Sequence, residues 1–421
     1  MTALRIELRR GPGLWSLPVL VVIGVFAARA ELRTDTIWSY ATGAATSAPM
    51  LMAPLAVGLA AWAGARSQRR GVRQAWLLAG REPAQAPLVE VGVLVVCAIA
   101  AYVTVVAATL LPTAVTATWG GPLWWWLIAA GAGLAAVVAI GYGVGVLAPG
   151  RLTPFAAAVV TYLATTWNLG QNGSWWHALF PVTVAKIFPF NAPHVQTMRG
   201  QVLWFAGLGL ATLALVAVKV RSSARLMMPA AGASLALLAA GAAVVVNEGG
   251  RYVDLNRHIV WSCEGTTPQV CIHPAYANSL TAISQRAAAI SDRLASTPFA
   301  IARVEQRPRG VGSRPTAGAI AYALDAPAAD DYDRAGLDIA IAALGVRACG
   351  RGPVRDTDAH AMAQLLVAWV VGDERLFVPR SLEQRQVKSR FLAMGLKDQQ
   401  RWLTVHAAAV RSCALSPQSV P

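Results

Sequence analysis

PAAGASLALLAAGAAVVVNEGGRYVDLNRHIVWSC, residues 229–263, holds the main division of this chain. Residues 229–247 carry no charged side chain, and charge returns at Glu248 and Arg251. An uncharged apolar run of about 18 residues or more reads as a membrane-spanning helix. Lipid offers backbone amides no water to bond, so such a run must satisfy them internally, as helix. The sequence after it mixes charge, Pro, Gly and short apolar patterns, as a folded aqueous domain does.

Upstream of this run lie six more apolar stretches, at 14–30, 48–65, 87–112, 123–147, 154–170 and 201–218. The fifth ends early, at Asn168, Gln171 and Asn172. The first reads as a retained span, because no small-x-small cleavage site precedes Arg29 and Glu31. The expected fold is an all-α polytopic membrane protein of about seven transmembrane helices, with a mainly α, disulfide-containing C-terminal extracytoplasmic domain. The expected divisions are a six-span region 1–228, a seventh span 229–247, and the outer domain 248–421.

Composition agrees. The chain is 56% hydrophobic and only 14% charged, against roughly 25% charged in soluble domains. Its net charge of +15 is concentrated in short loops: residues 1–250 hold 16 Lys/Arg and 6 Asp/Glu. Basic residues beside apolar helices set topology, and no nucleic-acid partner is expected. Twelve Lys/Arg fall on the side of the N-terminus and four, Arg29, Arg33, Lys186 and Arg199, on the other. That bias places the N-terminus inside and, after seven spans, the C-terminal domain outside the cell membrane.

Cysteine usage points the same way. Cys97 lies in the third span, whereas Cys263, Cys271, Cys349 and Cys413 all fall in the C-terminal domain. An even number there suggests disulfides. Three pairings are open. HIVWSC, EGTTPQ and VCI read as strand, turn and strand, which favours Cys263–Cys271 and leaves Cys349–Cys413. Trp119, Trp124, Trp125 and Trp126, with Trp167, Trp175 and Trp176, read as an outer headgroup belt.

Motifs for catalysis are missing. The chain has no phosphate-binding G-x-x-x-x-G-K-[ST], no H-E-x-x-H and no G-x-S-x-G. No enzyme activity and no cofactor is expected. The spans hold no ionisable group near their centres, and Glu90 sits near the inner end of the third. Ion-coupled carriers usually need such groups, so any energy source is expected in a partner.

The loop ARSQRRGVRQAWLLAGREPAQAP, residues 65–87, is the most informative inner segment. VRQAWLLA, 72–79, reads as a short helix between Arg-rich flanks, able to lie on headgroups or dock on a protein. The six-span layout, the charged N-terminal segment MTALRIELRRGPGLW and this loop together resemble ABC-2-type transporter permeases over residues 1–225. The resemblance implies that the loop is a coupling helix seated in a separate P-loop ATPase subunit, with Arg69, Arg70, Arg73, Trp76, Leu77 and Leu78 as its contacts. It also implies a second permease copy or homologue, and an outward excursion at 171–200. Span seven and the outer domain depart from the usual six-span pattern and resemble actinobacterial permease-like proteins with an extra extracytoplasmic domain.

His177 and His194, in the outer excursion, read as structural. Gly141-x-x-x-Gly145 allows close helix packing. In the C-terminal domain, helical patterns cover 276–296, 334–348, 358–371 and 381–413, PFAIARVEQ (298–306) reads as a strand, and 325–333 as a loop. Zinc at His258, Cys271 and His273 is disfavoured against disulfides, and Asp330, Asp331 and Asp333 read as a solvated acidic cluster. His360 and His406 read as packing or surface residues. The leading expectation is a permease subunit of an ABC-type exporter moving a hydrophobic or amphipathic cargo. The alternative is a non-transporting membrane scaffold or sensor presenting the outer domain.

Overall fold

Apolar helices dominate the first half of the structure, a computed structural model that describes residues 12–68, 85–169, 174–181, 187–221, 228–255, 259–308, 318–349 and 357–420. The chain divides into two units, Met1–Arg257 and His258–Pro421.

The first unit contains α1 (Pro12–Glu31), α2 (Trp38–Ser47), α3 (Pro49–Ser67), α4 (Gln85–Thr116), α5 (Trp124–Leu147), α6 (Thr153–Leu169), a short strand β1 (Asn191–Pro193), α7 (Val195–Arg221), α8 (Met228–Asn247) and β2 (Val253–Leu255). Among the described residues, five stretches are long and apolar enough to cross a membrane: Trp38–Ser67, Pro87–Thr116, Trp124–Leu147, Val195–Val220 and Met228–Asn247. The expected first and fifth spans are the helices α1 and α6, which lie outside those five. Both still pack in the bundle: Leu20 and Ala28 of α1 are in its core and Ala157 of α6 lies against it. α6 has 17 residues, cut short by the polar end already visible at Asn168.

The expected span at 48–65 begins earlier, at Trp38. Pro49 occupies the first position of α3, where its missing N–H costs nothing. α2 therefore leads into α3 almost without interruption, and its Ser39, Thr42, Thr46 and Ser47 are buried. Ser47 and Thr46 return their hydroxyls to the carbonyls of Ala44 and Gly43, which satisfies these polar groups inside an apolar bundle.

Small residues set the helix spacing. A Cβ added at Gly141 would lie 2.7 Å from the Val57 carbonyl, and at Gly145 or Gly64 it would strike the backbone of Ala61 or Tyr142. The Gly141-x-x-x-Gly145 pattern thus seats α5 on α3 within one chain. Gly241 does the same for α8 against Trp204 of α7. Without a hydrophobic drive in lipid, such close backbone approach is how helices associate.

One end of the bundle gathers the segments 32–37, 117–123, 174–181, 187–194 and 248–255. Thr116 donates to Asp35 O at 2.8 Å, and Leu123 N donates to Thr42 Oγ1 at 3.4 Å. β1 pairs antiparallel with β2, with Asn191 opposite Leu255 and Pro193 opposite Val253. This pairing carries the first unit past the last apolar helix to Arg257. Trp126, expected in an interfacial belt, is instead buried and lies 5.8 Å from the Tyr252 ring. Trp119, Trp124, Trp167 and Trp175 are exposed.

The second unit is mainly helical and contains the expected hairpin, but the hairpin is the edge of a larger sheet. It holds a four-stranded mixed sheet, ordered β3 (Ser262–Glu264), β4 (Gln269–Ile272), β5 (Arg303–Gln306) and β6 (Ala319–Tyr322). β3–β4 is the antiparallel hairpin, with Cys263 opposite Cys271. β4, β5 and β6 run parallel, which requires crossover connections and leaves no local turn signature. The first crossover is α9 (Leu280–Leu294), which buries Ile283, Ala287, Ile290 and Leu294. α10 (Ala329–Leu344) and α11 (Thr357–Val371) follow. α10 begins inside the expected loop 325–333, so Asp330 and Asp331 form its first turn, where acids oppose the helix dipole. The expected one or two helices at 381–413 are three: α12 (Leu382–Ala393), α13 (Leu396–Val405) and α14 (Ala407–Arg411). Phe391 packs edge-on to Trp369 and Trp402 at 5.5 and 5.3 Å. Disulfides join Cys263 to Cys271 and Cys349 to Cys413.

Candidate functional site

The expected coupling residues Arg69, Arg70, Arg73, Trp76, Leu77 and Leu78 lie outside the described residues, but the two ends of their loop are well defined. α3 delivers Arg66 to one end and the first turns of α4 deliver Glu90 to the other. Arg66 Nη2 stands 3.1 Å from Glu90 Oε1. Tyr142 of α5 donates its hydroxyl to Glu90 Oε2 at 2.9 Å. Tyr142 reaches Glu90 because Gly64, with no Cβ, lets the Tyr142 backbone close onto α3.

Glu90 is 3% exposed. A carboxylate taken out of water that far costs several kcal/mol unless it is paired and hydrogen-bonded. Here one oxygen meets a guanidinium and the other a phenol. Arg66 itself is 29% exposed at its side chain and lies over the Trp62 ring at 5.3 Å, so its charge is shared between the carboxylate, an aromatic face and water. The arrangement joins three helices, α3, α4 and α5, at the base of the Arg-rich loop. Its chemistry is electrostatic clamping.

At the opposite end of the bundle, His177 and His194 occupy structural positions. His177 Nδ1 is 3.0 Å from Asn168 Oδ1, and its ring meets Tyr252 edge-on. Burial pushes the His177 pKa down, against an upward pull from the hydrogen bond to Asn168. His194 Nδ1 is 2.8 Å from Thr197 Oγ1, while Nε2 faces Glu248 at 3.4 Å and Asp254 at 3.9 Å. Gln201 and Trp204 of α7 donate to the carbonyls of Ala178 and Leu179. These contacts fasten residues 174–181 and His194 to α7 and to the chain leaving α8.

In the second unit, the residues that a zinc site would need are otherwise engaged. Cys271 is in a disulfide, and His258 lies outside the described residues. His273 is fully buried and its Nδ1 accepts from Ala275 N at 3.1 Å. Burial lowers its pKa to about 4. Among the described residues, no group of three His, Cys, Asp or Glu is placed to hold a metal. Asp331 pairs with Arg334 and Asp333 with Arg286. His406 stacks on Trp402 at 4.5 Å, and His360 stands 3.0 Å from Gln364.

Sequence alone did not identify the Arg66–Glu90–Tyr142 cluster. Its signal was Glu90, a single acid in the otherwise apolar run 87–112, which marks an intramembrane ionisable group in search of a partner. Nothing in the sequence singles out Tyr142. In comparisons with protein-family models, curated proteins and solved structures, nothing matches this chain.

Proposed function

We propose that the chain is the membrane-spanning permease subunit of an ABC-type exporter, coupled through the loop 65–87 to a separate P-loop ATPase. The observation that carries this reading is the Arg66–Glu90–Tyr142 cluster. A loop free at both ends would absorb the motion of a docked partner. A loop whose two ends meet at a buried ion pair passes that motion to α3, α4 and α5 together.

The proposed topology has the N-terminus inside, seven crossings and the second unit outside the cell. Arg66, Arg151, Lys219 and Arg221 support it, since these described cations belong to the loop set expected inside. The two disulfides support an oxidising compartment for the second unit. The permease works with a second copy or a homologue and moves a hydrophobic or amphipathic cargo, in keeping with apolar spans whose described ionisable groups sit at their ends.

The test is purification of the tagged chain from native membranes in mild detergent, beside an Arg69→Ala/Arg70→Ala/Arg73→Ala variant. A stoichiometric P-loop ATPase that is lost from the variant, with membrane insertion kept, is the expected result. An ATPase complex indifferent to the triple substitution would overturn the coupling assignment. A stable outer-surface partner with no ATPase would favour a scaffold or sensor instead.

A further inference from the structure

The second unit contains a groove of about 410 Å³ between α10, the turn Val346–Ala348, α11 and Leu376. Its walls are apolar: Leu337, Ile341 and Val346 on one side, Ala363, Val367 and Leu376 on the other. The size falls within the roughly 300–1,000 Å³ of small-molecule sites. The groove is preorganised. Gly345 leaves α10 in the left-handed conformation, φ 72°, and so turns Val346 and Arg347 out of the helix, and Cys349 ties the same turn to Cys413. Just beyond it, Leu376 is 41% and Val378 72% exposed.

The polar groups around it differ in availability. Asp338 accepts from Ala323 N, and His360 meets Gln364. Arg347, exposed at the lining, makes no hydrogen bond or ion pair with the described residues. A groove with apolar walls and, among the described residues at its lining, the cation Arg347 left for a ligand matches one chemistry, an alkyl chain ending in an anion. A peptide would bring backbone donors and acceptors that these walls do not meet.

We propose that this groove binds a single alkyl chain of an anionic amphiphile, with the head group at Arg347. The site stands apart from the exporter reading and holds equally for a scaffold. The chain lies against the α10 and α11 walls, and the charge-assisted contact at Arg347 sets its direction.

The test uses the full chain in lipid nanodiscs with a diazirine-bearing dodecanoic acid, and adducts mapped by mass spectrometry. Adducts are expected on peptides of α10 and α11, competed by unlabelled acid, with competition tightening about two- to fourfold per methylene. Ala363→Trp fills the groove and removes these adducts, while a retained Cys349–Cys413 bond shows that the unit is folded. Arg347→Gln, an exposed substitution without risk to the fold, weakens the acid by roughly tenfold and leaves dodecanol unchanged. Labelling of the same peptides by a diazirine phospholipid but not by the free acid keeps the groove and identifies bilayer lipid as the source. Adducts confined to α1–α8, or adducts indifferent to both variants, would overturn the proposal.

Discussion

Arg66 and Glu90 are 24 positions apart in the sequence and 3.1 Å apart in space. The pair is bracketed by Trp62 on one side and Tyr142 on the other. Glu90→Gln preserves shape but leaves Arg66 without its counter-charge. It should destabilise the bundle by about 2–4 kcal/mol, below the fully buried range because Arg66 keeps some water. Adding Arg66→Ala should cost less than the sum of the two single changes. Heating in detergent followed by size-exclusion profiles measures both. Strict additivity would mean the two residues act independently.

Gly145 sits against the Ala61 backbone, so Gly145→Ala forces α5 away from α3. Loss of about 3 kcal/mol or more is expected. At Gly209, on α7, an added Cβ would meet nothing within 4 Å. Gly209→Ala should stay within about 1 kcal/mol of the parent. The same thermal assay compares them, and equal behaviour would remove the close-packing account.

The disulfides span loops of different length, with sequence separations of 64 for Cys349–Cys413 and 8 for Cys263–Cys271. Chain entropy gives about 4 and about 2.5 kcal/mol. Replacing the longer pair with Ser should therefore lower the melting temperature of the second unit more. Thiol labelling of intact cells should leave all four unmodified until reductant is added. Labelling only after lysis, with no reductant needed, would place the second unit in the cytosol.

His273 carries a pH dependence with a definite sign. Its pKa falls from 6.5 to about 4 on burial, so the unfolded chain binds its proton first. The stability tied to neutral His273 is complete above pH 6.5 and is lost as pH falls towards 4, by about 3 kcal/mol. His273→Asn keeps an acceptor for Ala275 N and should flatten the slope in that window. Melting curves from pH 7 to 4 compare the two, and parallel slopes would exclude His273 as the titrating group.

Much of this was legible in the sequence, for physical reasons. Apolar runs announce helices because lipid permits little else, and α4, α5, α7 and α8 fall where those runs do. The Cys263–Cys271 hairpin was legible because both partners lie within one local turn. The parallel β4–β5–β6 sheet was not, since its strands meet across intervening segments and β6 has only four residues. Burial of Trp126 escaped notice because an indole suits a headgroup layer and a core equally well. The Arg66–Glu90 pair was half legible: Glu90 stood out as an acid among apolar neighbours, but its partner is chosen by how α3 packs on α5.

Strands that share backbone hydrogen bonds occupy one compartment, so β1 and β2 lie on the same side of any bilayer the bundle spans. The chain between them must then cross an even number of times, and α7 and α8 are the two helices in that interval long and apolar enough to do so. This parity holds whatever the count of crossings before Asn191. A single accessibility label on either strand thus reports the compartment of both, and with it the side on which the chain departs towards its oxidised cysteines.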